Sequence, residues 1–292
     1  MKIQQKNFLR DTRQAWLSVA ALLLLPGFGI AQAATLSNGG STMTVDLNGS
    51  DGINSWTVDT SPVNQLDSEW FYYSINGGAA QPINALGLVN GTGTVTGGNS
   101  LNATYSNGQL SVQIGFTLQG SGSGSGSAGL TANILTVSSS TALTSLNVYE
   151  YANFNLLQTS DNSIGISPAY GGPPTFPIVG YNGVSQMNGS TALTEAIGTP
   201  YADYAEAGTY STVLSDVATG HNLNDVLSTG PNSGVNVAWA LEWSYQGVAA
   251  NSMETVLSGQ TLSIANVPEP STMALVGLGL GAVGFIRRRK AS

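Results

Sequence analysis

The 292-residue chain is 41% hydrophobic and only 8% charged, with eight Lys and Arg against sixteen Asp and Glu, one histidine and no cysteine, for a formal charge of −8 at pH 7. All eight bases are terminal: Lys2, Lys6, Arg10 and Arg13 open the chain and Arg287, Arg288, Arg289 and Lys290 close it, which leaves residues 34–266 with fourteen carboxylates and no Lys or Arg. Such a middle cannot neutralise phosphates, which excludes nucleic-acid binding and phosphoryl transfer. The absence of cysteine excludes thiol catalysis, disulfides and thiolate metal sites, and His221 alone cannot build a two-histidine metal centre.

In chain order, the four N-terminal bases precede an apolar stretch, residues 15–30, broken by Pro26 and Gly27, and then Ala31-Gln32-Ala33. A basic region, an apolar region and a small-x-small site in that order predict a secretory signal-peptide helix over residues 1–33, cut by signal peptidase after Ala33. An uncleaved membrane anchor is the competing reading.

Residues 34–266 read as one exported domain. Asn-Gly pairs recur at 38, 48, 76, 90, 107, 182 and 188, and each supplies the positive-φ positions of a tight hairpin turn. Between them run short alternating segments such as 42–47 and 111–118, where Val112, Ile114, Phe116 and Leu118 share one face. The Gly/Ser tract 119–129 predicts a flexible hairpin tip, with an interdomain linker as the competitor. Further strands are expected over 142–151, 235–245 and 255–264. Two-turn helices are expected over 191–197 and 210–218, and a Pro-enforced loop over 168–177. Many short strands and few helices predict an all-β fold, a β-sandwich or jelly-roll.

At the C-terminus, Val267-Pro268-Glu269-Pro270 leads into an apolar segment, residues 271–286, and then Arg287-Arg288-Arg289-Lys290. Sixteen helical residues cover about 24 Å, so a transmembrane helix here spans a ~30 Å hydrocarbon core only with local thinning or snorkelling bases. The basic cluster acts as a membrane stop on the cytoplasmic side, which leaves the acidic domain outside the inner membrane. The motif Pro268, Glu269, Pro270 with its apolar helix and basic tail, residues 267–292, closely resembles the PEP-CTERM sorting signal of exported Gram-negative bacterial proteins. That resemblance implies processing at the motif by an exosortase-type enzyme, in bacteria that make exopolysaccharide, and display at the cell surface or release into the extracellular matrix of a biofilm. Residues 51–86, with Trp56 and Trp70-Phe71-Tyr72-Tyr73, and residues 148–156 also resemble segments of a group of PEP-CTERM exported proteins, although Asn153 and Asn155 stand where acids are expected.

Three functional readings remain for the domain. A structural or adhesive, non-catalytic role in an exopolysaccharide layer or at the cell envelope follows from the sorting signal. A carbohydrate- or calcium-binding module is the alternative: Trp70, Tyr72, Trp239 and Trp243 fall on two alternating strand faces and could stack on sugars, though such rows more often form a core. No cofactor is expected otherwise; Asp46, Asp51, Asp216 and Asp225 lie in oxygen-rich turns suited to Ca²⁺, although carboxylates that cap turns and face solvent look the same. A glycoside hydrolase would need two acids from Asp67, Glu69, Glu150, Asp203, Glu206 and Glu242 at a defined separation, and no spacing selects a pair.

The charge layout has a direct test. No tryptic site lies between Arg13 and Arg287. Trypsin in concentrated urea should trim the precursor to one fragment, residues 14–287, and leave the exported, processed protein uncut; a further mass loss from the exported form would show that a terminal basic segment survives processing.

Overall fold

The computed structural model describes residues 33–264, apart from 59, 60, 62, 123–125 and 231–234; the signal segment up to Gln32, including Ala31, and the sorting tail lie outside the described residues. The chain enters through β1 (Ala33–Asn38) and β2 (Ser41–Asp46), then β3 (Ile53–Val58), the long β4 (Leu66–Ile75) and a short β5 (Gln81–Pro82). It crosses to β6 (Thr94–Thr96), β7 (Ser100–Ser106), β8 (Leu110–Gly120) and β9 (Ser127–Ser139), and returns through β10 (Leu143–Phe154). Then follow β11 (Ser163–Tyr170), β12 (Ile178–Asn188), β13 (Thr191–Ile197), β14 (Tyr204–Thr209), the helix α1 (Tyr210–Thr219), β15 (Ser228–Thr229), β16 (Val237–Val248), β17 (Met253–Val256) and β18 (Ser258–Ser263).

These strands form two antiparallel sheets. One has the order β1-β2-β3-β4-β10-β16-β14 with β5 beside β4, and the other β15-β11-β12-β13-β18-β9-β8-β7-β6 with β17 beside β9. A single buried cluster lies between and around them, and includes Trp56, Trp70, Trp239 and Trp243, each 1% exposed or less. Truncating any one of these to Ala should cost about 3–5 kcal/mol. The middle strands β10 and β16 are buried on both faces, one against the second sheet and the other beneath α1, which seats Val213 and Val217 one turn apart.

The all-β expectation holds, and the Gly/Ser tract joins β8 to β9 as a hairpin. Three local readings change. Residues 191–197 are a strand, with Thr191, Leu193, Glu195 and Ile197 facing inward; the glutamate in the apolar row disguised the alternation. Pro168 lies within β11 rather than in a loop, at a register shift between Ser167 and Pro168 that removes the need for its missing N–H. Asn182-Gly183 is mid-strand, where a Cβ on Gly183 would sit 3.0 Å from the Glu195 carbonyl; glycine here permits close strand approach rather than a turn.

The core also holds acids. Glu69, Glu150 and Glu195 are 1%, 0% and 4% exposed. In β4 and β10, Phe71 pairs with Glu150 and Glu69 with Ala152, so both glutamates share one face of the first sheet. Glu195 stands on the second sheet between Val184 of β12 and Gln260 of β18. Across the gap the Ser258 hydroxyl lies 3.5 Å from Glu150 Oε1, and within the second sheet Gln260 Nε2 donates to Glu195 Oε2 at 3.4 Å. Burial pushes the Glu195 carboxyl up to about 8, and the neighbouring Glu69 charge pushes the same way. The expectation that the acids face solvent or cap turns therefore fails for these three.

The stability consequence has a fixed sign. Glu195 binds its proton more tightly in the folded than in the unfolded chain, so its contribution is full below about pH 4.5 and is lost as pH rises through about 8. The largest possible loss is roughly 5 kcal/mol at ~1.4 kcal/mol per pH unit. Thermal melts between pH 5 and 9 should show Glu195→Gln gaining stability over the native protein as pH rises. Parallel pH profiles for the two would show that Glu195 is not the titrating group.

Candidate functional site

At one end of the sandwich, an open groove of about 650 Å³ is lined by Ile178, Val179, Gly180, Tyr181, Asp203, Tyr204, Asn222, Asp225, Ser244 and Gln246. Its first wall is the start of β12. Tyr181 exchanges two backbone hydrogen bonds with Ala202, at 2.8 and 3.1 Å. Gly180 sits at φ 142°, where an added Cβ would come 2.6 Å from the Ala202 carbonyl, so this contact requires glycine.

The opposite wall is set by the end of α1. Gly220 ends the helix in the left-handed conformation (φ 72°), and its Cβ would lie 2.1 Å from the Gly78 carbonyl. The chain then runs back along the edge strand β14: the Ala207 N–H donates to Val226 O at 2.7 Å and Ala205 N–H to Asp225 Oδ1 at 3.1 Å. The floor comes from β14 and β16, where Asp203 N–H donates to Glu242 O at 2.7 Å and Ser244 N–H to Asp203 Oδ2 at 2.8 Å.

Acids gather here. Glu242, fully buried, accepts the Leu223 N–H on Oε2 at 2.8 Å, while its Oε1 has no partner. Burial pushes its carboxyl up to about 7; the Leu223 N–H opposes this and the charges of Asp203 and Asp225 add to it. Glu206 Oε2 accepts from Asn224 N (3.3 Å) and Nδ2 (3.1 Å), and that same amide donates to Asp216 Oδ2 at 3.1 Å, so Asn224 bridges two carboxyls. Burial, then Asp216, raises Glu206. The Tyr181 hydroxyl is also raised, by burial and by its neighbour Asp225. Beside the groove stands an apolar lip, with Tyr170, Phe176, Ile178 and Val179 62%, 57%, 54% and 51% exposed.

The sequence candidates are scattered. Asp216 and Asp225 belong to this end of the molecule, but Asp46 caps its own turn, its Oδ1 accepting from Asn48 N at 3.0 Å and Gly49 N at 2.9 Å, and Asp51 lies exposed in the next bend. Among the described residues, no three His, Asp or Glu side chains are grouped so as to hold a metal ion. Trp70, Tyr72, Trp239 and Trp243 are at most 8% exposed, and form core rather than a platform; Trp70 and Tyr72 make edge-to-face contacts with Tyr105 and Tyr151. Of the acids weighed for hydrolysis, Glu69 and Glu150 are enclosed between the sheets, Asp203 lines the groove, and Glu242 is fully buried beside it. His221 follows α1, and its carbonyl accepts the Tyr149 hydroxyl at 3.3 Å. Tyr181, Tyr204 and Asn222 had no sequence signal, because the groove draws on segments up to about seventy residues apart.

The comparisons with known proteins bear on the tail. Residues 266–290 match the PEP-CTERM protein-sorting motif, which implies export and membrane-associated sorting by an exosortase. A search of curated protein sequences finds no match. Among solved structures the chain is similar to a bacterial glucoamylase complexed with acarbose (9% identity, TM-score 0.49, 86% of this chain and 36% of that one). It is also similar to a putative kojibiose phosphorylase from human microbiome (10%, 0.40, 87% and 33%) and to an Aspergillus nidulans amine oxidase (8%, 0.46, 93% and 57%). The chain thus spans between a third and three fifths of those proteins' lengths.

The groove electrostatics predict a coupled titration. Asp203→Asn and Asp225→Asn should each lower the midpoint at which the Glu242 carboxyl ionises, followed by carboxyl carbon NMR, because each removes a charge that opposes ionisation. An unchanged midpoint in both variants would place Glu242 out of electrostatic reach of the groove.

Proposed function

We propose that the domain is a non-catalytic surface or matrix protein that holds extracellular polysaccharide through the groove at Tyr181, Tyr204, Asp203 and Asp225. The observation that carries this reading is the position of the groove relative to the sorting tail. Gly259 of β18 is level with Ala196 and Gly183; Ser263 lies four residues beyond it, and Ile178 lies five residues beyond Gly183 in the other direction. At about 3.3 Å per residue, roughly 30 Å of strand separates the groove from the point where the chain leaves towards Pro268. A domain held by its C-terminus would present the groove outward.

The composition of the groove supports the same reading. Tyr204 and the exposed Ile178 and Val179 suit the apolar faces of sugar rings, and Asn222, Ser244 and Gln246 suit their hydroxyls. The enclosed Glu69, Glu150 and Glu195 act in the core, which supports a binding rather than a catalytic role for the exported domain.

Cell fractionation tests both parts. Removing residues 268–292 should send the domain to the medium, and membrane retention would refute the sorting role of the tail. The intact protein should sediment with the cell's exopolysaccharide, and Tyr204→Ala with Gln246→Ala should release most of it; equal sedimentation from cells lacking the polymer would overturn the polysaccharide reading.

A further inference from the structure

We propose that Asn90 is a self-modification site, at which the folded domain converts an asparagine to aspartate and isoaspartate after export. Residues 34–266 contain seven Asn-Gly pairs. Glycine has no side chain to shield its nitrogen, so in such a pair the glycine nitrogen can turn on the preceding side-chain amide. That nitrogen gives its proton to water and bonds to the asparagine Cγ, while the Cγ–Nδ2 bond breaks and ammonia leaves. Water then opens the cyclic imide at either carbonyl, to aspartate or to isoaspartate. The asparagine side chain must be able to swing towards the glycine nitrogen, and that N–H must be unbonded.

The fold blocks the other six pairs. Asn38 Oδ1 accepts the Gly120 N–H at 3.2 Å, and Asn76 Oδ1 accepts the Thr144 N–H and hydroxyl at 2.8 and 2.9 Å. Asn107 Oδ1 accepts the N–H groups of Gln109 and Leu110 at 3.0 and 2.9 Å, while the Gly108 N–H donates to Ser106 Oγ at 3.2 Å. Asn188 Nδ2 donates to Leu156 O at 3.0 Å and to Thr159 Oγ1. After Asn48, the attacking nitrogen itself is engaged, as the Gly49 N–H donates to Asp46 Oδ1 at 2.9 Å. Asn182-Gly183 is held extended in β12 between β11 and β13.

Asn90 differs on both counts. Residues 89–92 form a turn closed by the Thr92 N–H on Val89 O at 3.1 Å, with Gly91 at φ 81° as a type II turn requires. Asn90 and Gly91 are exposed, and among the described residues neither the Asn90 side chain nor the Gly91 N–H has a hydrogen-bond partner. Both arms of this turn are pinned to β7, through the Val89 N–H on Thr104 O and the Gly93 N–H on Asn102 O, each at 2.8 Å. Isoaspartate runs the main chain through Cβ and lengthens it by one atom, so the tip must bulge away from β7. Either product adds a negative charge close to the edge strand β6 of a domain without Lys or Arg.

Chymotryptic peptide mapping of the full chain, kept in mild detergent at mildly alkaline pH, tests the site through the mass gain of the amide-to-acid change and isoaspartyl methyltransferase labelling. Asn90 should convert at least about tenfold faster than any other Asn-Gly pair, since each hydrogen bond that must open before attack adds to the barrier. In concentrated urea every pair should convert at a comparable rate, and Asn90→Gln should abolish the fast conversion of the native protein while its melting temperature stays within a few degrees. Conversion at another pair as fast as at Asn90 in the native protein, or the same spread of rates in urea as in buffer, would overturn the proposal.

Discussion

A carboxylate taken out of water must find a cation, a set of hydrogen-bond donors or a proton. Between residues 34 and 266 the chain has no Lys or Arg, and His221 is the one side chain there that can carry a positive charge. The burial of Glu195, Glu206 and Glu242 draws on the other two. Backbone and amide donors serve Glu206 and Glu242, through Asn224 and Leu223, and those bonds pin the segment after α1 against β14 and β16. Between the sheets, Glu195 keeps its proton up to about pH 8 and packs as a neutral polar side chain against Gln260. One compositional constraint thus governs the core and the groove alike.

The export signals and the all-β class were legible because they rest on local order: bases, apolar stretch and small residues at one end, Pro268-Glu269-Pro270 with its helix and bases at the other, alternation between. Strand β8, whose inward row is Leu110, Val112, Ile114, Phe116 and Leu118, could be read directly. Strand β13 could not. Its inward row contains Glu195, and a charged residue at an inward position cancels the alternation on which strand reading depends. Strands β10 and β16 blurred the pattern in the opposite way, being covered on both faces.

The groove was illegible for a different reason. Its residues come from the start of β12, the approach to β14, the segment after α1 and the end of β16, brought together by long-range pairings such as those of Tyr181 with Ala202, Asp203 with Glu242 and Ala205 with Asp225. Conversely, the aromatic rows that sequence made conspicuous belong to the interior. Trp239 and Trp243 project from β16 towards the second sheet, as their register against Ala152 and Val148 requires. A row of large aromatics in an alternating segment reports the inside of a sandwich more faithfully than a sugar platform.

The place of β18 has a mechanical meaning. It is the last described strand and leads into the sorting tail, yet it lies inside its sheet, hydrogen-bonded to β13 on one side and β9 on the other. A polymer seated at the far end of the sandwich and a tether at the tail would pull along the strand axis, so tension loads the ladders on both sides of β18 in shear, many bonds at once, rather than unzipping them singly. A domain built this way resists stretching along the axis of β18.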